Sequence, residues 1–231
     1  MALGRKLATE AIGTMLLLAC VVGSGIMGVR LSQGNDAVAL LANAAATAAA
    51  LYVLISILGP ISGAHLNPVV SLAMRWRGEI GSRDAIAYLL VQTVSAIAGV
   101  LLAHAMFDLP LLQVGSHTRT GAGQWLSEAV ATFGLLLTIL LARRHRPTAM
   151  PFLVAGYIFA AYWFTASTSF ANPALTLARA FTDSFSGIRL QDVGAFVLAQ
   201  CVGAVFALGI AKVLDPNLPT PKLLPETTPP G

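Results

Sequence analysis

The fold is decided by two short stretches that resemble each other. Residues 62–69 have the sequence Ser-Gly-Ala-His-Leu-Asn-Pro-Val, and residues 170–174 have the sequence Phe-Ala-Asn-Pro-Ala. Asn is a strong N-cap residue, and Pro is favoured at the first helical position because its missing N–H costs nothing there. Each stretch therefore predicts a helix that starts at its Asn-Pro pair, at Asn67 and at Asn172.

Both predicted helices are too short to cross a bilayer. From Asn67 to Arg77 the chain rises roughly 15 Å at 1.5 Å per residue, half of the ~30 Å hydrocarbon core. The second helix is expected to run from Asn172 to about Ser184. A helix of this length that starts at the midplane ends at a membrane surface, so we predict two half-helices whose caps meet centrally. The residues predicted to form this constriction are Asn67, Pro68, Val69, Asn172, Pro173 and Ala174.

The composition places these half-helices in a membrane protein. Of 231 residues, 56% are hydrophobic and only 10% are charged, well below the quarter that is usual in soluble domains. Apolar runs near the ~20 residues needed to cross a bilayer recur along the chain. The predicted spans are approximately 7–29, 37–58, 84–106, 124–142, 148–166 and 190–213.

The distribution of Lys and Arg predicts the orientation. Six crossings place both termini on one side, and ten of the basic residues fall there, against four on the other side. The positive-inside rule then predicts a multi-pass protein of the cell membrane with both termini cytoplasmic. The net charge of +4 follows from this topology, so no nucleic-acid partner is expected. The first group is Arg5, Lys6, Arg75, Arg77, Arg83, Arg143, Arg144, Arg146, Lys212 and Lys222, and the second is Arg30, Arg119, Arg179 and Arg189.

An internal repeat organises the chain. The sequence Glu-Ala-Ile-Gly-Thr at residues 10–14 is echoed by Glu-Ala-Val-Ala-Thr at residues 128–132, and Gln92 is echoed by Gln200. Each half holds three crossings, an odd number, so the second half enters the membrane inverted. The sequence predicts one channel domain over residues 1–214, built from repeats at about 5–106 and 124–214. A Pro-rich, disordered cytoplasmic tail is expected over residues 215–231.

The segments before the half-helices are predicted to line a pore. Irregular backbone is tolerated at membrane depth only inside protein or along a water-filled path. Each Asn is expected to cap its helix with its side-chain oxygen and to point its amide donors into the lumen. The two positive helix ends disfavour cations and protons there, which suits small neutral hydroxylated solutes. The candidate lining carbonyls are those of Gly63, Ala64, His65, Thr168, Ser169 and Phe170.

These paired stretches resemble the duplicated signature of the aquaporins and aquaglyceroporins. Together with the paired Glu and Gln residues, the resemblance covers residues 5–214. It implies an all-α, aquaporin-like membrane fold of six transmembrane helices and two re-entrant half-helices, a pore in every subunit, and a homotetramer in the lipid bilayer. Val69 stands where the family usually has Ala.

The resemblance also implies a selectivity filter, whose family positions map by spacing onto Thr47, Ala160, Ser169 and Leu175. The family usually places an aromatic residue at the first, His or Gly at the second and Arg at the fourth. Arg presents five fixed donors and a permanent charge, so Leu175 removes the strongest polar restraint. We expect a wide, weakly polar filter.

This filter points to a particular branch of the family. Thr176 stands where glycerol facilitators have Asp, which weakens a dedicated glycerol role. The combination is similar to the bacterial aquaglyceroporins linked to arsenic resistance, which pass neutral arsenous acid. The expected solutes are arsenous acid or related metalloids, glycerol and water. An ordinary water-selective aquaporin is the alternative.

Three ionisable residues have roles that the sequence leaves open or only suggests. Arg179 lies four residues after Leu175, so it either lines the outer vestibule in place of the missing Arg or reaches the outer surface. Glu10 and Glu128 admit a proton-relay interpretation. We favour a supporting role, in which each carboxylate accepts backbone N–H groups of a re-entrant loop.

Other classes of protein fit the sequence less well. An ion-coupled secondary transporter also uses inverted repeats and broken helices, but it needs titratable groups at the midplane, where this sequence offers Asn. No nucleophile–base set, phosphate loop or metal-ligand spacing occurs. We therefore expect no enzymatic activity, no cofactor and no metal site.

Overall fold

Eight α-helices make up the chain within residues 1–218, which are the residues that the computed structural model describes, and this part contains no strand. Six are long and two are short. In chain order they are α1 (Leu3–Leu31), α2 (Asp36–Ser62), α3 (Pro68–Trp76), α4 (Ser82–Met106), α5 (Ala122–His145), α6 (Met150–Phe164), α7 (Pro173–Ala178) and α8 (Leu190–Leu214).

The six long helices are apolar enough and long enough to cross a membrane. Five of them have at least 24 residues, and α6 reaches the required length with the 3₁₀ turn Pro147–Ala149 before it. The all-helical fold predicted from the sequence is confirmed. Since six crossings return the chain to its starting side, we call that side the terminal side and the other the opposite side.

The two short helices start at the predicted Asn-Pro pairs. The Oδ1 of Asn67 accepts from the N–H of Val69 at 3.0 Å, and the Oδ1 of Asn172 accepts from the N–H of Ala174 at 3.0 Å. Because Pro occupies the next position in both helices, one of the unpaired N–H groups of a helix start is already absent. The second helix ends earlier than expected, at Ala178, and the 3₁₀ turn Arg179–Phe181 continues it.

One glycine in each half lets two long helices pack closely. A Cβ added at Gly99 in α4 would lie 2.3 Å from the carbonyl oxygen of Met15 in α1. A Cβ added at Gly203 in α8 would lie 2.1 Å from the carbonyl oxygen of Ala129 in α5. Both distances are far inside van der Waals contact, so only Gly permits these two crossings.

The end of the described chain differs from the predicted disordered tail. Residues 215–218 form a turn in which the N–H of Leu218 bonds the carbonyl of Asp215, and Leu218 is buried. The Oδ2 of Asp215 lies 3.1 Å from the Nε2 of His145, which places the turn against the end of α5. The rest of the predicted tail, residues 219–231, lies outside the described residues.

Candidate functional site: a central pore

The chain reaches each short helix through a segment with left-handed backbone at the same three positions. These positions lie four, three and one residue before the Asn, and five of the six residues are not Gly. A left-handed non-Gly residue costs roughly 1–2 kcal/mol, so the surrounding structure must hold both segments firmly. The φ values are 92° and 58° for Gly63 and Thr168, 46° and 52° for Ala64 and Ser169, and 49° and 47° for Leu66 and Ala171.

In the first half, the buried carboxylate of Glu10 holds this segment. Its Oε1 accepts from the Oγ of Ser62 at 2.6 Å and from the N–H of His65 at 3.0 Å. Its Oε2 accepts from the N–H of Leu66 at 2.7 Å and from the Nε2 of Gln92 at 2.8 Å. Hydrogen bonds to a charged acceptor contribute about 1.5–3 kcal/mol each, enough to offset the left-handed backbone.

In the second half, Glu128 makes the same four bonds. Its Oε1 accepts from the Oγ of Ser167 at 2.6 Å and from the N–H of Phe170 at 2.8 Å. Its Oε2 accepts from the N–H of Ala171 at 2.9 Å and from the Nε2 of Gln200 at 2.6 Å. The four donors stand at the same places relative to the Asn-Pro pair and the Gln in both halves.

The side-chain amides of the two Asn residues connect the halves. The Nδ2 of Asn67 donates to the carbonyl of Ala171 at 2.8 Å, and the Nδ2 of Asn172 donates to the carbonyl of Leu66 at 2.8 Å. One amide hydrogen of each Asn is therefore spent on the opposite loop. The expectation that both amide hydrogens of each Asn point into the lumen is therefore wrong for one of them. The other hydrogen of each amide remains for a solute.

A cavity runs past this junction between the long helices. It encloses about 760 Å³ of empty space, including the part open to solvent, and both Asn67 and Asn172 line it. Arg143 lines it beside the α5–α6 connection on the terminal side and pairs with Glu79 at 2.5 Å. Of the predicted lining carbonyl residues, all but Thr168 border the cavity, namely Gly63, Ala64, His65, Ser169 and Phe170.

Three of the four predicted filter residues border the same cavity. They are Thr47, Ser169 and Leu175. The fourth, Ala160, is wrong: it lies on an exposed face of α6, and Ile158 and Tyr162 border the cavity instead. A residue two positions away on a helix points roughly 200° around the axis, so an ungapped count back from Asn172 put the position on the wrong face.

The sequence does not mark the face of α6 that lines the cavity, because nearly every residue of this helix is apolar. Met150, Val154, Ile158 and Tyr162 follow one another at steps of four, and all four line the cavity. That spacing is typical of one helix face. The Oη of Tyr162 lies 3.2 Å from the Oγ1 of Thr47, so the phenol is held by a residue across the cavity.

The hydroxyl of Ser169 is the free polar side-chain group beside Leu175. Its Oγ is buried and has no hydrogen-bond partner within residues 1–218. The Thr47 hydroxyl is already engaged with Tyr162. This end of the cavity therefore combines apolar walls with one available hydroxyl, and Leu175 contributes no charge to it.

The structure supports neither of the two interpretations of Arg179. Its side chain is only 1% exposed, so a surface position is wrong. It does not border the cavity either. Its Nε bonds the carbonyl of Ser186, and its Cζ lies 3.3 Å from the ring centroid of Phe170. Arg179 therefore lies behind Phe170, one layer away from the lumen.

A second arginine, Arg119, joins this site from the α4–α5 connection. Its Nη1 donates to the carbonyl of Ser167 at 3.2 Å, its Nε to the carbonyl of Gly187 at 2.8 Å, and its Nη2 to that of Phe185 at 3.3 Å. Its Cζ lies 4.9 Å from the ring centroid of Phe170. Sequence reasoning placed Arg119 only by topology, because no local pattern links it to residues 167–187.

The fold and this site define a class of protein: a multi-pass membrane channel with a central constriction shared by two inverted halves. Comparisons with known proteins identify the family. Residues 1–162 match the model of the family described as major intrinsic protein. The chain is 55% identical to aquaglyceroporin AqpS of Rhizobium meliloti, over 98% of both chains. It is 30% identical to the probable aquaporin AqpM of Archaeoglobus fulgidus, over 93% of this chain and 98% of that one.

A solved structure shares the fold. The X-ray structure of the aquaglyceroporin from Plasmodium falciparum superposes with a TM-score of 0.73 at 21% identity, covering 93% of this chain and 98% of that chain. The chain belongs to the major intrinsic protein family. It is accordingly a passive channel for small solutes and not an enzyme.

Proposed function

We propose that this channel is an aquaglyceroporin that passes arsenous acid and related neutral metalloid hydroxides, together with glycerol and water. The observation that carries the proposal is Leu175, which borders the cavity at the position where the family usually has Arg. The 55% identity to a protein named as an aquaglyceroporin supports the broader part of the proposal.

The chemistry of the wall favours a bulky neutral solute. A filter Arg would present fixed donors and a charge to the lumen. Leu175 presents neither a charge nor a hydrogen-bond donor. A neutral solute that passes it therefore makes no strong, directed hydrogen bond to this part of the wall. The free Oγ of Ser169 and the remaining amide hydrogens of Asn67 and Asn172 are left to bind solute hydroxyls in turn.

Stopped-flow light scattering of proteoliposomes tests the solute range. Vesicles that hold the protein are mixed with glycerol, arsenite or an impermeant osmolyte, and the three permeabilities are compared. In Leu175→Arg, glycerol and arsenite permeability are expected to fall about tenfold, because a guanidinium fills the filter and binds its polar groups. Water permeability is expected to fall less.

A matched control places the same charge outside the pore. Leu112 in the α4–α5 connection is 75% exposed, so Leu112→Arg is expected to leave all three permeabilities unchanged. If Leu175→Arg passes arsenite and glycerol as the unmodified chain does, Leu175 does not set the selectivity. If the unmodified chain passes water alone, the water-selective alternative replaces the proposal.

The same vesicles distinguish a channel from a coupled transporter. A channel of this kind gives solute fluxes that rise in proportion to concentration and ignore an imposed proton gradient. Saturation at low solute concentration, or acceleration by the gradient, would favour an ion-coupled transporter. The midplane groups are the amides of Asn67 and Asn172, which do not titrate, and this argues for the channel.

We further propose that the protein lies in the cell membrane as a homotetramer with both termini cytoplasmic. The exposed apolar side chains of α2 and α6 supply lipid-facing or subunit-facing surface, among them Tyr52, Ile57, Phe152 and Trp163. The excess of basic residues on the terminal side supports the orientation. Native mass spectrometry checks the tetramer, and labelling of single cysteines from either side of the membrane checks the orientation.

A further inference from the structure

Near the opposite side of the membrane, two arginines lie behind the cavity wall without contacting the solute pathway. Two guanidinium groups approach the ring of Phe170, with Cζ-to-centroid distances of 3.3 Å for Arg179 and 4.9 Å for Arg119. Phe170 borders the cavity. The two arginines come from different parts of the chain, Arg119 from the α4–α5 connection and Arg179 from the 3₁₀ turn after α7.

Neither of these charges is neutralised by a salt bridge within residues 1–218. The side chain of Arg119 bonds only backbone carbonyls, and Arg179 bonds the carbonyl of Ser186. The Nη1 of Arg179 is buried without an acceptor in that part of the chain.

The nearby carboxylate of Glu128 is occupied by four donors of its own loop. The carboxylate of Asp192 accepts from the backbone N–H of Arg119 at 2.7 Å and pairs with Arg189 at 3.1 Å. In the described part of the chain, the guanidinium groups of Arg119 and Arg179 therefore have no carboxylate partner of their own.

In residues 1–218, no arginine stacks on the ring at the corresponding place in the first half, and the arginine that borders the cavity at that end, Arg143, is paired with Glu79. His65 stands where Phe170 does, two residues before the Asn, and its Nδ1 lies 3.1 Å from the Oγ of Ser71. Its ring meets that of Tyr88 edge to face at 5.2 Å. The arginine pair is thus an addition to the half that also contains Leu175.

We propose that Arg119 and Arg179 together supply the positive field that excludes protons and other small cations at this end of the pore. The field replaces that of a charge at position 175 without placing a guanidinium in the lumen. Charges behind a low-dielectric wall act on an ion in the lumen with little screening. A neutral solute carries no net charge, so the same field leaves its passage unaffected. The inference rests on the proposed function, since it explains how a filter without Arg stays closed to cations.

Proton flux into dye-loaded proteoliposomes tests the inference. Vesicles containing pyranine receive an acid step while valinomycin and potassium hold the membrane potential, and glycerol-driven swelling is recorded on the same preparation. In Arg179→Gln, proton flux is expected to rise about tenfold because one unscreened charge is removed. In Arg119→Gln, the rise is expected to be about threefold, since this half-buried side chain lies nearer to solvent. Glycerol swelling is expected to stay within about twofold of the unmodified chain.

Arg30 provides the matched control. It is an exposed arginine on the same side of the membrane, stacked over Phe107 with its Cζ 5.0 Å from the ring centroid, and it does not border the cavity. Arg30→Gln removes the same charge and the same kind of contact far from the filter. Its proton flux is expected to equal that of the unmodified chain. If it rises as much as in Arg179→Gln, a general surface-charge effect replaces the inference.

A rescue variant keeps the test decisive if Arg179→Gln disturbs the loop. Arg179→Lys retains the charge, and Leu175→Arg combined with Arg179→Gln returns a charge to the filter; both are expected to bring proton flux down again. Unchanged flux in Arg179→Gln and Arg119→Gln, with glycerol still passing, would overturn the inference alone. Vesicles of the unmodified chain that pass no glycerol would instead overturn the proposed function.

Discussion

The two re-entrant loops have the same framework and different linings. Glu10 and Glu128 accept the same four kinds of donor, and both loops use left-handed backbone at the same positions. An aromatic ring four residues before the Gln meets the residue two before the Asn in each half. These pairs are Tyr88 with His65 at 5.2 Å and Phe196 with Phe170 at 5.3 Å.

The difference lies in what surrounds that second ring. The imidazole of His65 is hydrogen-bonded to the hydroxyl of Ser71 in α3, the half-helix that follows it. The ring of the first loop is therefore held by a hydroxyl group. Phe170 is stacked by Arg179 and approached by Arg119, so the second loop is backed by charge. The carboxylate framework thus fixes the backbone shape in both halves, while the groups that surround one ring position differ between the halves and set the local electrostatics.

The largest effect is expected when the carboxylate framework itself is broken. Glu10→Gln turns an acceptor of four donors into a group whose amide hydrogens face donors, which costs about 3 kcal/mol or more. Glu128→Gln is expected to cost less, because Arg119 still holds the carbonyl of Ser167. Thermal unfolding in detergent and glycerol swelling measure both variants. The surface variant Glu79→Gln serves as the control and is expected to cost below about 1 kcal/mol.

Equal losses in Glu10→Gln and Glu128→Gln would show that Arg119 does not support the second loop. A Glu10→Gln protein as stable as Glu79→Gln would show that the buried carboxylate is not needed for the first loop at all.

A smaller effect is expected where the loops differ in backbone strain. Gly63 has φ +92°, and a Cβ there would lie 3.0 Å from the Nε2 of His65. Gly63→Ala is therefore expected to lower the stability by about 1 kcal/mol. Thr168 occupies the equivalent position at φ 58°, so Thr168→Gly is expected to be neutral or to raise the stability by about 0.5 kcal/mol. Melting temperatures in one detergent give the order.

Gly59 supplies the control for this pair. It lies inside α2, and a Cβ there meets nothing within 4 Å. Gly59→Ala is expected to leave the melting temperature unchanged or to raise it slightly. If Gly63→Ala has the same melting temperature as Gly59→Ala, a side chain does not strain the left-handed backbone at position 63.

The smallest effect concerns the connections that follow the half-helices. After α3, Glu79 pairs with Arg77 at 2.7 Å; after α7, Asp183 accepts from the Oγ of Ser116 at 2.6 Å and from its N–H at 3.1 Å. The Ser116 hydroxyl and N–H hold the pKa of Asp183 below its ordinary value of 3.8. A lowered folded pKa means that the stabilisation is complete above 3.8 and is lost as the pH falls through the lowered value.

Asp183→Asn is the variant that isolates this contribution. Between about pH 6 and pH 3, the unmodified chain is expected to lose slightly more thermal stability than Asp183→Asn does. Melting curves at the two pH values measure the difference. If the two proteins show the same pH dependence, Asp183 does not contribute to the stability of the second half.

Much of the framework was predictable because it is encoded by residues that repeat. The Asn-Pro pairs, the two Glu and the two Gln occur in the same order twice, so the inverted fold and the starts of both half-helices followed from sequence. Leu175 followed from spacing within α7, and Thr47 followed from a count of twenty residues back from Asn67 across the segment that joins α2 to α3. Ala160 failed because its position was counted back from Asn172 across the segment between α6 and α7, where a difference of two residues moves a side chain to another face of the helix.

The charged part of the site was not predictable in the same way. Arg119 contacts residues nearly 50 to 70 positions away along the chain, through carbonyl groups that no side-chain pattern marks. Arg179 was recognised as a candidate, but its burial depends on the Phe170 ring turning toward it. Contacts of this kind are set by tertiary packing, which a single sequence does not display.

The reciprocal bonds of Asn67 and Asn172 also bear on how the channel is made. During synthesis, residues 1–106 emerge long before residues 165–172, so the amide of Asn67 waits without the carbonyl of Ala171 that it finally bonds. The first loop can reach its final hydrogen-bonding state only once the second loop has been inserted beside it. The pore can therefore be completed only after the second loop has been made, and a chain that stops halfway has three crossings and no conducting path.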